Sequence, residues 1–410
     1  MVRQTYSTLT IFLGLLILAA IPTFASSGDR NPTFQHCLKG CQLTYCEPHQ
    51  PPIPSYLRLF GWTCKENCAY ECGHTFTDNI RPGSKSHQFY GKWAFYRLGP
   101  FQEPFSILCS LGNLYVNYKG LKDLRRRVRK ENGMRNWLIA LGVIQINTWI
   151  WSSVFHARDT PNTERLDYFS ATLTISYTLL YSIIRIFGLR TPISQSKYLI
   201  PVTALIGFIV LGHFTYLLSF PIGFFPYGYH TKFNLYLAAT HNILWVLWSL
   251  SFSYKYPKIK IIGKTLEFPK PYPPHEPLGQ NPKPSEYQTP AILVLLTTLA
   301  MSFELFDFSP IFRIIDAHSL WHLSTIPLTI AWWHFMITDA IELEGSLLSS
   351  NSNRQFNNGG NGTTGIDGDS KSNELDIPRT PNFTQVAAGT AGRLGRPISP
   401  GKSPKLDKPE

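Results

Sequence analysis

Seven apolar runs separated by polar connections constrain this chain more than any other feature. They cover residues 98–118, 136–155, 166–187, 198–220, 232–252, 290–308 and 315–337. Each is long enough to cross a hydrocarbon core, and a spanning segment must satisfy its own backbone hydrogen bonds, so the expected fold is an all-α membrane bundle over 98–339. The mean hydropathy is close to zero, a value typical of soluble proteins, but it averages these runs with very polar stretches. The first run is the weakest because it contains Glu103, Asn113 and Asn117. An acid inside a span faces a cavity or a partner.

The N-terminus carries a different signal. Arg3 precedes an apolar stretch from Leu9 to Ile21, and Thr23 and Ala25 occupy the minus-three and minus-one positions of a cleavage site. This is the pattern of a secretory signal peptide, here 1–25; the rival, an uncleaved anchor helix, calls for a longer apolar core. Residues 26–97 hold six of the seven cysteines: Cys37, Cys41, Cys46, Cys64, Cys68 and Cys72. An even-numbered cluster just past a signal peptide reads as a disulfide framework in an oxidising lumen. The spacing is nearly mirror-symmetric, so two short antiparallel helices would pair Cys37 with Cys72, Cys41 with Cys68 and Cys46 with Cys64. A zinc site is the rival reading, disfavoured because thiolates oxidise readily in that compartment. Cys109 falls in an apolar run and reads as a packing residue.

Charge sets the orientation. The connection KGLKDLRRRVRKENGMR is strongly basic, the third carries Arg190 and Lys197, and the fifth, SYKYPKIKIIGKTLEFPKPYPP, carries five lysines. The positive-inside rule puts these odd connections in the cytosol and leaves the cysteines luminal. The same topology explains the net charge of +12; no nucleic-acid signature accompanies it. Residues 340–410 are rich in Asn, Gly and Ser and read as a disordered cytosolic tail. Its sequons at Asn361 and Asn382 are expected to be silent there, and Ser399 and Ser403 each precede a proline.

This topology gathers polar residues at one depth. Ser152 and His156, four apart, close the second run; Asp167 opens the third; His318 and His322, also four apart, open the seventh. Residues at i and i+4 share a helical face. All five therefore lie at the luminal end of the bundle. Three histidines leaving a fourth position open match a catalytic rather than a structural zinc site. Asp167 would then orient or deprotonate a zinc-activated water, and Ser152 would hold the carbonyl or steady an oxyanion without acting as nucleophile. An HxxxH pair alone has a plainer reading, hydrogen bonding at the lipid interface; the convergence of all five residues favours the metal. His213, His241 and His334 lie away from this layer and read as packing residues. Glu304 and Asp307, near the luminal end of the sixth run, read as acids behind the ligands or as cavity lining, without a choice between them.

The pattern SxxxH, an Asp eleven residues after that His, and HxxxH on the last run resembles the CREST superfamily of seven-span membrane hydrolases, which includes alkaline ceramidases and adiponectin-type receptors. Within it, CLKGCQLTYC, CKENCAYEC, FYGKWAFYRLGPFQEPFS, SSVFHARDT, ERLDYF and DAHSLWH resemble the Per1-like family, also called post-GPI attachment to proteins factor 3. The resemblance runs from about Cys37 to about Asp339 and leaves out the polar tail. It implies lipid remodelling of GPI anchors, a phospholipase A2-type hydrolysis of the sn-2 acyl ester on GPI-anchored proteins. It further implies a multi-pass protein of the endoplasmic reticulum membrane, with the Golgi as the alternative. A ceramidase-like amide hydrolase would share the metal chemistry, but the cysteine-rich domain argues against it. A non-catalytic receptor or a chaperone for GPI-anchored proteins would be expected to show an incomplete metal set, and this set is complete.

Overall fold

The computed structural model describes residues 26–46, 53–81, 84–192, 194–252, 259–261, 264–266 and 284–358, with side chains as far as 345 outside 259–266. The signal-peptide reading of 1–25, the two sequons, Ser399 and Ser403 lie outside these residues. The described residues up to Gln355 belong to one compact unit; of the unit beginning at Phe356, only the end of a helix is described.

The N-terminal region is a cross-linked pair of helices, α1 (Pro32–Tyr45) and α3 (Cys64–Asp78), with the short α2 (Ser55–Leu59) between them. Both long helices begin where the sequence supplies a cap. Asn31 accepts from Thr33 N ahead of a proline, and Thr63 forms a reciprocal capping box with Glu66, satisfying N–H groups that would otherwise lack partners. Cysteines four or five residues apart fall on one face of each helix, so the antiparallel pair brings Cys37 to Cys72, Cys41 to Cys68 and Cys46 to Cys64, with Cα separations of 5.8, 5.7 and 5.6 Å. These are the pairings expected from the mirror spacing. The bridges enclose a small core of Phe34, Leu38 and Phe89.

Helices occupy all seven apolar runs: α4 (Pro104–Arg127), α5 (Arg135–Ala157), α6 (Pro161–Ile186), α7 (Leu199–Leu218), α8 (Tyr227–Ser251), α9 (Thr289–Leu305) and α10 (Ala317–Asn358). Of these, α5, α6 and α7 are both long and apolar enough to cross a membrane by length and composition, and α9 is a shorter apolar helix. The sequential neighbours α4–α5, α5–α6 and α6–α7 pack together, and α8 packs on both α6 and α9. Helix α7 turns Ile200, Leu205, Phe208 and Leu211 outward, with Phe208 at 76% exposure. An outward face of that composition suits lipid rather than water. The lysine-rich connection holds a two-stranded antiparallel hairpin, β1 (Ile259–Ile261) and β2 (Lys264–Leu266). The fold is otherwise helical among the described residues.

Several boundaries differ from those read in the sequence, α4 running on to Arg127 and α6 and α8 starting five residues earlier, and two of the differences bear on the site and the tail. The first helix starts at Pro104 rather than at residue 98, because Leu98 and Phe101 bridge across a turn whose Gly99 takes φ +61°. Pro104 has no N–H to lose at the first helical position. Glu103 is thus the N-cap and not an acid inside a span. The last helix continues past Asp339 to Asn358, so residues 340–358 are helical.

The main core lies toward the opposite end of the bundle from α1 and α3, around Leu124, Met134, Leu138, Ile184, Trp245, Trp248 and Phe335. A buried bidentate ion pair ties α6 to α10 there: Arg185 Nε and Nη2 donate to Asp339 at 2.7 and 2.6 Å. Cys109 is a buried free thiol, as a packing residue would be. Small residues let α4 approach α10 closely. A Cβ on Gly120 would meet the Trp333 ring at 2.4 Å, and Trp333 Nε1 donates to Asn117 Oδ1 at 3.0 Å.

Candidate metal centre

Five helix ends build the site, the starts of α4, α6 and α10 and the ends of α5 and α9. The chain enters α10 through a reciprocal cap: Ser319 N donates to Asp316 Oδ1 at 2.9 Å, and Asp316 N donates to Ser319 Oγ at 3.0 Å. That cap fixes the first turn and aims His318 and His322 along one face. At the end of α5, Ser152 and His156 share a face and both are buried. The backbone of Gln102 and Glu103 closes on this end, donating to the carbonyls of Ala157 and His156 at 3.1 Å each. The start of α4 is therefore tied to the end of α5 by main chain as well as side chain.

His156, His318 and His322, named from the sequence as metal ligands, come together. Their ligand nitrogens lie within 4.8 Å of one another. His322 Nε2 is 2.8 Å from His318 Nε2 and 3.3 Å from His156 Nε2. His156 is 1% exposed and His322 7%, whereas the His318 side chain is 37% exposed, so the cluster is buried on the α5 side and open beside His318. On their far sides two of the rings meet carboxylates: His156 Nδ1 donates to Glu103 Oε2 at 2.7 Å, and His318 Nδ1 donates to Glu304 Oε2 at 2.6 Å. His322 is held differently. Asn113 Nδ2 and Thr325 Oγ1 both donate to its carbonyl at 2.7 Å, and the Trp149 ring lies edge-on at 5.3 Å.

Tautomers follow from these partners. Carboxylates only accept, so His156 and His318 carry their protons on Nδ1 and turn Nε2 lone pairs toward His322. A proton added to one Nε2 serves one facing pair and leaves the third lone pair unmatched; a shared cation serves all three. A histidine held by a carboxylate on its second nitrogen is the usual outer arrangement of a metal site. Three neutral imidazoles, with no carboxylate oxygen among the inner ligands, suit zinc better than magnesium or calcium. Hence the residues present fit a zinc ion. The sulfurs of Cys46, Cys64 and Cys68 also lie close together, but each is spent in a disulfide.

Among the described residues, neither of the two remaining sequence candidates hydrogen-bonds to the three histidines. Ser152 is buried, and its Oγ is 3.0 Å from Ser110 Oγ on α4. Asp167 is half-buried on the first turns of α6, within electrostatic range of His156 and His318. Among the described residues its carboxylate has no hydrogen-bond partner, so its acceptor capacity is available to the site. The ring of Tyr168, the next residue, packs on that of Tyr227 with centroids 5.7 Å apart.

Several contributors were not assigned from sequence. The sequence shows Glu103 only as an unusual acid in an apolar run, and it carries no signal for Ser110 or Lys92. Of the two acids left open, Glu304 backs His318, whereas Asp307 accepts from Gln88 Nε2 at 2.6 Å and Trp93 Nε1 at 2.9 Å. His213, His241 and His334 have other partners: His230, Ser182 and Glu286.

The comparisons with known proteins agree with the motif. The Per1-like family matches over residues 54–340. The protein PER1 homolog of Schizosaccharomyces pombe is 34% identical over 345 residues, 82% of this chain and 93% of its own. The GPI-specific phospholipase A2-like PGAP3 of Danio rerio is 31% identical over 333 residues, 80% of this chain and 94% of its own. That of Homo sapiens is 31% identical over 337 residues, 81% and 94% respectively. No solved structure matches the chain.

Proposed function

Because the chain belongs to the Per1-like family, we propose that it remodels GPI anchors by metal-dependent hydrolysis of the sn-2 acyl ester of their phosphatidylinositol. The observation that carries the reading is the convergence of His156, His318 and His322 with carboxylates behind two of them, in a chain whose relatives bear the name GPI-specific phospholipase A2-like. All seven apolar helices are taken as spans, with the site at their luminal end. That depth suits an anchor lipid of the luminal leaflet. A multi-pass position in the endoplasmic reticulum membrane is favoured, with the Golgi as the alternative.

His156, His318 and His322 would hold one zinc ion. When bound, zinc supplies Lewis acidity, polarising an ester carbonyl and making water a nucleophile near neutral pH. Glu103 and Glu304 keep the Nδ1 protons of His156 and His318 in place and so hold both rings in the ligating tautomer. Asp167 takes the proton of the attacking water, a role suited to a carboxylate within electrostatic range of His156 and His318 and without a competing hydrogen bond among the described residues. Ser152, paired with Ser110, supplies a hydroxyl toward the developing oxyanion. Water oxygen then bonds to the acyl carbon as the bond to the sn-2 oxygen breaks, and the proton taken up by Asp167 passes to that leaving oxygen, so the products are a free fatty acid and the lyso anchor and no acyl group passes to the protein.

The test is zinc analysis of the purified protein in parallel with an assay for lyso-GPI product in membranes. Zinc together with lyso product is the expected result. Lyso product without zinc would move the reading to a serine nucleophile; zinc without lyso product would move it to a non-catalytic chaperone or receptor.

A further inference from the structure

The cysteine-rich domain reaches into the metal centre. A tight turn follows α3: Phe89 N donates to Lys92 O at 2.7 Å and Lys92 N to Phe89 O at 3.0 Å, with Tyr90 at φ +52° and Gly91 at φ +80° between them. Two successive left-handed residues form the hairpin turn that matches strand twist. A tyrosine in that region is uncommon and persists only when its surroundings hold it. They do so here: Tyr90 N donates to Asp29 Oδ1 at 2.5 Å and Gly91 N to Ser26 Oγ at 3.1 Å. The Phe89 side chain is buried in the disulfide core, 4.6 Å from the Phe34 ring. The turn is thus rooted in the cross-linked helices and ends in Lys92.

Lys92 crosses from that domain to the bundle. Its Nζ donates to Glu103 Oε1, lies 3.2 Å from Asp159 Oδ2, and sits 4.1 Å above the Phe155 ring. Glu103 uses its other oxygen for His156 Nδ1. One carboxylate therefore links a lysine of the cysteine-rich domain to a metal-ligating histidine. Without Lys92, Glu103 would be a buried carboxylate with half its acceptors unmatched, free to rotate away from His156.

We infer that Lys92 is a positioning residue of the metal centre, by which the disulfide-linked domain holds Glu103 and, through it, the His156 ring. This rests on the proposed histidine-ligated metal site and adds to it that the domain is needed for metal retention, beyond any part it has in stability or substrate capture.

The readout is the rate at which purified full-length protein in detergent yields zinc to an excess of chelator. Lys92→Met keeps the stem over Phe155 and removes the charge; Lys92→Arg restores it. Lys92→Met is expected to release zinc about ten- to a hundredfold faster than wild type, the usual range for an outer partner of a ligand, with Lys92→Arg returning most of the difference. A Glu103→Gln, Lys92→Met double variant should release zinc no faster than Glu103→Gln alone, since both act through one carboxylate. Asp78→Asn, which loosens the domain at its Arg313 contact and leaves the Lys92 chain intact, should behave as wild type. Disulfide content and elution volume establish that each variant is folded, and Lys92→Gln replaces Lys92→Met if the latter is not. Wild-type release from folded Lys92→Met, or equal acceleration in Asp78→Asn, would overturn the inference while leaving the metal site standing. Wild-type protein that holds no zinc would overturn both.

Discussion

Asp167→Asn and Glu304→Gln separate chemistry from metal holding, because the structure gives the two acids different neighbours. Glu304 accepts from His318 Nδ1 at 2.6 Å, so its amide loses the charge that orients a ligand. Losing such a partner costs about ten- to a hundredfold in metal affinity, and activity should fall in proportion to the zinc lost and recover when zinc is added. Asp167 touches no ligand through a hydrogen bond among the described residues and only senses His156 and His318 electrostatically. Its amide should leave zinc content near wild type. What it removes is a positioned base, usually worth a hundredfold or more in turnover, or about 2.7 kcal/mol of barrier. The assay is acyl release from a GPI-anchored protein in membranes expressing each variant at equal level, with zinc measured on the same protein. Added zinc should rescue Glu304→Gln and do nothing for Asp167→Asn. Full activity in Asp167→Asn would refute its role as base; zinc loss in that variant would make it part of the holding arrangement instead.

His318→Ala or His322→Ala should abolish zinc binding, because each leaves two ligands, and unchanged zinc content in both would remove the site assignment. Cys37→Ser with Cys72→Ser opens the longest disulfide loop, with a separation of 35 residues, and should destabilise the N-terminal domain by about 2–5 kcal/mol, read as a lower melting temperature; an unchanged melt would show that packing alone suffices. His74 gives a pH dependence. Burial pushes its pKa below the ordinary histidine value, and Arg313 Nη1 donates to its Nδ1 at 3.0 Å, which requires that nitrogen to be unprotonated. The unfolded chain therefore takes up a proton that the folded one refuses. The stability His74 contributes is complete above about pH 6.5 and is lost progressively as pH falls toward the lower folded value. A wild-type melting temperature that falls on acidification, with a flatter profile in His74→Gln, is expected; identical profiles would exclude His74 as the cause.

Much of the architecture was legible because it depends on local periodicity. The seven apolar runs are helices, and the mirrored cysteine spacing leads directly to the pairing, since cysteines about one turn apart on two antiparallel helices can meet in one register only. The histidine cluster was legible for a related reason: i, i+4 pairs at helix ends of known direction share a depth. The course of the last helix was misread from composition. SLLSSNSNRQFNN looks like a polar tail, yet it contains no Gly or Pro, and the helix runs to Asn358, directly before Gly359 and Gly360; the breakers and not the polarity mark its end.

The outer layer of the site was not legible, because it depends on where helices stop. Glu304 and Asp307 are three residues apart, but α9 ends at Leu305. Glu304 thus projects from the last turn toward His318, while Asp307 lies beyond the end and meets Gln88 and Trp93. Glu103 is at a helix start set by a turn closed between Leu98 and Phe101, and Lys92 reaches it from a turn outside any helix. No sequence period connects such positions. Charge explains why they belong together all the same. Glu103 has Lys92 as its counterion, whereas among the described residues the only ion-pair partner of Glu304 is the imidazole of His318. A partly buried carboxylate in that position is favoured by positive charge within reach. A metal ion held by His156, His318 and His322, as proposed, would supply it to both acids through their histidines, so the carboxylates that keep the rings oriented would themselves be stabilised by what the rings hold.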